Sequence, residues 1–306
     1  VMDSVQAIID EGLAQFILTG SSALKLKHGA KLNLLPGRVV SLTMSPLVYE
    51  ELPSPKPSLD DLLVYGTLPE ISLEEDRDNR EKDLFSYVST YLEEEIRAEA
   101  AVRNLGFFSR FLELAAGEAG KQVNLSNLSR EIGVTHQTIS SYFQILDDSL
   151  VATRIDPIVN GRTKRRLFKS PKYLFFDLGI RRVAANEGVR LPQSFLGDLF
   201  EHYVGNELLN LSALTAPEIK VRYWRDTAGP EVDYVIDWGK EYIPVEVKYS
   251  EAPQKRDARH LETFLSEYSE ATDGFVICRT PHAYRLSDRV IALPWQELNT
   301  LFQRNR

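Results

Sequence analysis

The chain has 306 residues, and its 43% hydrophobic and 26% charged side chains exclude a wholly disordered protein. With 36 basic and 44 acidic residues its net charge is -8, which argues against a chain-wide electrostatic nucleic-acid binder but not against a local basic patch. A single cysteine, Cys278, excludes an internal disulfide and fits a reducing, cytoplasmic compartment. No apolar run approaches the roughly 20 residues of a membrane span, so no membrane partner is expected.

In chain order, Val5, Ile8, Ile9 and Leu13 recur at helical spacing and predict a helix over 4–14. Gln15 to Leu18, closed by Thr19-Gly20-Ser21-Ser22, predicts a buried parallel strand, and Val39 to Met44 another. Residues 1–52 thus read as part of an α/β layer. Pro53, Pro55, Pro57 and Pro69 among acidic residues predict a linker or irregular excursion over 53–82. The helical period returns from Asp83, and residues 83–190 read as a helical and winged-helix domain. Within it, Leu125 to Ile132, the Gly133 turn, the Thr135 cap and Ile139 to Leu146 predict a helix-turn-helix. Leu150 to Ile155 and Lys172 to Asp177 predict the two strands of a wing. Residues 191–306 read as a separate α/β sandwich: a helix over 195–214, a three-stranded meander, a helix over 257–269 and two further strands.

The meander carries the chemistry. Asp233 lies on one strand and Glu246-Val247-Lys248 on the next, with Glu246 and Lys248 on one face by period-2 alternation. A hairpin brings the two carboxylates together, and a divalent cation would neutralise them. Lys248 would then orient a water, and Glu201 on the preceding helix would complete a site for phosphodiester hydrolysis. The simpler alternative is that Glu-x-Lys is a solvated pair worth about 0–1 kcal/mol. The layout resembles the PD-(D/E)XK nuclease fold, matched here by Glu201, Asp233, Glu246 and Lys248. That resemblance implies Mg²⁺ held by Asp233 and Glu246.

A wider resemblance spans nearly the whole chain. Phe16 to Ala23, Leu34 to Arg38, Tyr65 to Pro69, Lys172 to Gly179, Phe200 to Val204, Glu231 to Asp233 and Val245 to Lys248 occur in the order found in bacterial and archaeal AAA-type ATPases. The resemblance implies the end of an ATPase module followed by a winged-helix and nuclease-like C-terminal domain. It also implies nucleotide-sensing positions at Thr19, Ser21, Ser22 and Arg38. The phosphate-binding loop Gly-x-x-x-x-Gly-Lys-[Ser/Thr] and the acidic strand that holds Mg²⁺ are absent. The chain is therefore expected to start inside such a module and not to hydrolyse ATP alone; ATP would belong only to a complete parent protein.

The second helix of the helix-turn-helix offers His136, Gln137 and Gln144 but neither lysine nor arginine, a poor reader of a groove. Between 161 and 182, by contrast, eight basic residues face a single acid. Arg162, Lys164, Arg165, Arg166, Lys169 and Lys172 are the expected grip on nucleic-acid phosphates. The alternative is a packing surface for the acidic linker or for another subunit. Two functions remain open: a Mg²⁺-dependent nuclease, or a non-catalytic module that binds nucleic acid or protein, a homo-oligomer included, under control of an ATPase half.

Overall fold

The computed structural model describes residues 2–17, 43–92, 104–159, 166–216 and 218–303. The architecture is mixed α/β, with helices and two sheets arranged in more than one domain. Among the described residues no helix is long and apolar enough to cross a membrane. Helix α1 spans Met2–Asp10. The strands expected over 15–22 and 39–44 fall largely outside the described residues, and so do Thr19, Ser21, Ser22 and Arg38.

The stretch read as a linker is folded. Helices α2 (Leu59–Tyr65), α3 (Pro69–Leu73) and α4 (Arg77–Ser86) occupy it. Ser58 caps α2 by accepting from the Asp61 N–H at 3.1 Å, and Leu62, Leu63, Val64 and Tyr65 are buried. Proline ends each turn there without unfolding the chain, because Pro69 sits in the first turn of α3, where its missing N–H costs nothing.

Helices α5 (Leu105–Gly117), α6 (Leu125–Ile132) and α7 (His136–Asp148) follow. Gly133, at φ +81°, ends α6 in the left-handed conformation, and Thr135 caps α7. Strands β1 (Ala152–Ile155) and β2 (Lys172–Phe175) pair antiparallel. Helix α8 (Leu178–Ala184) starts at Asp177, whose buried carboxylate accepts from the Ile180 N–H at 3.0 Å and the Thr67 N–H at 2.7 Å. Gly179 lets α8 approach the chain: a β-carbon there would stand 2.4 Å from the Tyr65 carbonyl oxygen. Gly179→Ala is expected to cost about 1–3 kcal/mol of unfolding free energy in urea, the range of an overpacked core. An unchanged midpoint would refute this close approach.

Helix α9 (Leu196–Thr215) leads into a six-stranded mixed sheet. Its strands are β3 (Lys220–Arg225), β4 (Glu231–Asp237), β5 (Tyr242–Val247), β6 (Gly274–Cys278), β7 (Tyr284–Arg285) and β8 (Val290–Pro294), in the order β3-β4-β5-β6-β8-β7. The meander β3-β4-β5 is antiparallel, and β5-β6-β8 run parallel. Helix α10 (Arg259–Glu267) makes the crossover from β5 to β6. Leu208 and Val204 of α9 pack with Tyr234, Val245 and Phe275, whereas Leu261 and Phe264 of α10 pack with Val235 and Val276. The two helices therefore cover opposite faces, as the alternation of Tyr234 with Val235 and of Phe275 with Val276 requires.

Two cores share strand β2. Tyr173 and Phe175 lie in the helical core with Phe111, Phe143 and Ile180, while Leu174 lies in the α9–sheet core with Phe200 and Tyr234. Period-2 alternation places Lys172 with Leu174, toward the sheet. Residues before the helical unit also join the sheet core: Val48, Leu52, Leu62 and Leu63 pack there. Tyr49 meets Trp295 edge-on with ring centroids 4.8 Å apart, and its N–H donates to the Glu207 carboxylate at 3.1 Å.

Candidate functional site

The β4–β5 ladder ends at the pair Tyr234↔Val245. Beyond it the Asp233 carboxylate takes over, accepting from the Val247 N–H at 2.8 Å. This side-chain bond fixes Asp233 beside Glu246. Glu246 is 5% exposed; its Oε1 accepts from Lys248 Nζ at 2.6 Å, and its Oε2 is buried without a hydrogen-bond partner. The expected pairing of Glu246 with Lys248 on one face is thus realised, and Glu246 is not a solvated carboxylate.

Helix α9 delivers Glu201, whose backbone carbonyl accepts from the Tyr234 hydroxyl at 3.0 Å. That bond ties the helix to β4 one residue from Asp233. Lys172 of β2 reaches across: its Nζ lies 3.3 Å from Glu201 and 3.1 Å from Glu231. Arg225 at the end of β3 holds the other oxygen of Glu231 at 2.9 Å. Lys172 also stands over the Tyr223 ring, 5.1 Å from its centroid. A cavity of about 360 Å³ opens beside this cluster, lined by Gln122, Lys172, Asp198, Glu201, Glu231 and Asp233 among others.

The electrostatics follow from the burial of four carboxylates. Burial and the neighbouring Asp233 push Glu201 up to about 7, against the pull of Lys172. Burial, then Asp233, hold Glu246 well above the usual carboxylate range, and burial raises Asp233 as well. Burial disfavours the Lys172 ammonium, but Glu201, Glu231 and Asp233 outweigh it and push Lys172 up. Lys248 is raised in the same way by Glu246 and Asp233 against its own burial. Both lysines are therefore cations at neutral pH, and they are the counter-ions of the cluster.

Lys172 was expected to grip nucleic acid from the wing. It is 3% exposed and committed to Glu201 and Glu231, so it is not available to a phosphate. Arg181 and Arg182 are likewise buried: Arg181 Nε donates to the Ala116 carbonyl and Arg182 Nε to the Val64 carbonyl, both at 2.8 Å. They pair with Glu187 and Glu81. Arg162, Lys164 and Arg165 lie outside the described residues. Arg166 and Lys169 are exposed. Their segment is stitched to the sheet next to the acid cluster. The Thr227 N–H donates to the Arg166 carbonyl at 2.8 Å, and the Phe168 N–H to the Arg225 carbonyl at 3.0 Å.

The sequence pattern brought Glu201, Asp233, Glu246 and Lys248 to one place. It missed Glu231 and the inward turn of Lys172. His260 is a further neighbour: burial, then Arg259 and Lys248, lower its pKa. His202 sits next to Glu201 in sequence but serves the fold. Its ring N–H donates to the Phe175 carbonyl, with Nε2 2.9 Å away, and burial lowers it to about 4.

A Mg²⁺ ion does not fit this donor set. Among the described residues no group of three histidine, cysteine, aspartate or glutamate side chains is disposed to hold a metal ion. Lys172 Nζ stands between Glu201 and Glu231, the place a cation would take. The one donor left over is Glu246 Oε2.

Two domain families match the chain. Residues 56–190 match a domain of unknown function, DUF8612, and residues 196–298 match another, DUF4143. DUF4143 is a domain often found in AAA-ATPase-associated proteins. No curated protein matches the chain.

Proposed function

We propose that the chain is the C-terminal part of an AAA-type ATPase whose last domain, a PD-(D/E)XK nuclease-like fold, works as a non-catalytic nucleic-acid-binding module. The observation that carries this reading is the acid cluster itself: Glu201, Glu231 and Glu246 are each paired with a lysine or arginine of the chain. Support for the fold comes from the succession α9, antiparallel meander, α10 and parallel β6, with the acids at the meander's splayed end. Support for a winged-helix unit comes from α6, α7 and the antiparallel pair β1–β2.

Binding is assigned to the basic segment from Arg162 to Lys169. Exposed arginines and lysines beside the sheet edge hold phosphates by charge, without reading bases. Fluorescence anisotropy with labelled single- and double-stranded DNA and RNA tests this. Arg166→Glu/Lys169→Glu is expected to weaken binding at least about tenfold at low salt and to flatten its salt dependence. Equal affinity of the double variant and the unsubstituted protein would overturn the assignment.

A second reading, metal-dependent phosphodiester hydrolysis, rests on one observation. Glu246 Oε2 is buried, unpartnered and next to Asp233, a donor with nothing to bind. Cleavage of plasmid or RNA in millimolar Mg²⁺, abolished by Glu246→Ala with folding intact, would favour hydrolysis over the binding module.

A further inference from the structure

The misfit between the acid cluster and a divalent ion has a specific cause, and the cause lies in a different unit of the chain. Lys172 does not belong to the sheet that carries the carboxylates. It is the first residue of β2, the strand shared by both cores. Leu174, two residues on, packs among Phe200 and Tyr234, so the docking of β2 on α9 carries Lys172 into the cluster. Gly205 of α9 permits this docking, because a β-carbon there would stand 2.6 Å from Leu174 and 2.4 Å from the Tyr234 hydroxyl. The Phe175 carbonyl then accepts from His202 and, at 3.0 Å, from Asn206, both on α9. Lys172 is thus set by four neighbours that have no contact with its charge.

We infer that Lys172 is a built-in cation: the strand β2 plugs the acid cluster with an ammonium, and a divalent cation can enter only when β2 is displaced from α9. The inference rests on the nuclease-like reading of the cluster, and it changes what that reading predicts. Four carboxylates, Glu201, Glu231, Asp233 and Glu246, are set against three cations, Lys172, Lys248 and Arg225. Withdrawing Lys172 leaves Glu201 without its cation, Glu231 with Arg225 alone, and Glu246 Oε2 still unpartnered. Three acidic side chains then become free to take oxygen-preferring Mg²⁺ or Mn²⁺. In the docked form the ammonium, held over the Tyr223 ring, occupies that place.

Mn²⁺ binding, followed by the electron paramagnetic resonance of the free ion, tests this without recourse to activity. The intact chain is expected to take up Mn²⁺ only weakly. Lys172→Met is expected to bind one Mn²⁺ at least about tenfold more tightly, since the divalent ion no longer competes with a tethered charge. Adding Glu246→Ala to Lys172→Met should abolish the gain. If Lys172→Met does not fold, Lys172→Met/Glu231→Gln removes one carboxylate with the ammonium and is read in the same way. Equal Mn²⁺ affinity with and without Lys172, whether tight or absent in both, would overturn the plug. A gain in Mn²⁺ binding without any cleavage would leave the plug standing and sink the hydrolytic reading alone.

Discussion

Replacing Lys172 by methionine is expected to lower the unfolding free energy by about 3–5 kcal/mol at pH 8, and by much less at pH 5. The cost is that of leaving buried carboxylates without their cation, not the worth of an ion pair. Lys172 is 3% exposed and serves Glu201 and Glu231 together. The pH dependence follows from the carboxylates. Burial already raises Glu201 to about 7, and Asp233 and Glu246 are raised as well. Without the ammonium they rise further. A raised carboxyl contributes stability that is present below its unfolded pKa and lost as pH climbs through the folded one. The deficit of the variant therefore grows from pH 5 to pH 8. Urea denaturation at the two pH values measures it; a deficit independent of pH would mean that Lys172 acts by packing alone.

The second large effect lies at Glu207, on the far side of α9. Its carboxylate accepts from the Tyr49 N–H at 3.1 and 3.2 Å and from the Tyr203 hydroxyl at 3.3 Å. Burial outweighs these bonds and pushes Glu207 up to about 7. Its folded pKa thus stands above the unfolded value of 4.5, so the stability it contributes is complete below pH 4.5 and is lost as pH rises through 7. Glutamine mimics the protonated form at every pH. Glu207→Gln is expected to match the unsubstituted protein near pH 4.5 and to exceed it by roughly 3 kcal/mol above pH 8. Subtracting one denaturation curve from the other isolates Glu207 from Asp177, raised to about 6 by burial, and from His202. A difference that stays flat with pH would show that Glu207 titrates normally.

Much of the sheet domain was legible because its signals are local. Asp233 and the Glu246-Val247-Lys248 triplet lie on adjacent strands of a meander, and alternation alone puts Glu246 beside Lys248. Glu201 was legible as a carboxylate on the helix before the meander. The direction of Lys172 was not, because basic residues on both sides of it read as one surface patch. A signal existed: Lys172-Tyr173-Leu174-Phe175 is apolar on both faces but for the lysine, as in a strand buried on both sides. A lysine there must find carboxylates. Residues 53–82 were misread for a similar reason. Prolines and acids dominate their composition, yet Ser58 followed by Leu62, Leu63, Val64 and Tyr65 is a capped helix with a buried end. The chain-wide charge concealed both features, since pairing between distant segments leaves no mark on a sum.

The interleaving of the two cores also bears on synthesis. Val48, Leu52, Leu62 and Leu63 leave the ribosome early, but their partners Phe275, Leu293 and Trp295 are near the end of the chain. At about 5–20 residues per second the early segment waits roughly 10–50 s for its partners. During that interval the helical unit has all its own residues and can close, whereas the segment before it stays apolar and uncovered. The nascent chain thus carries an exposed sticky stretch ahead of a finished domain, a ready target for chaperones until β8 and Trp295 emerge.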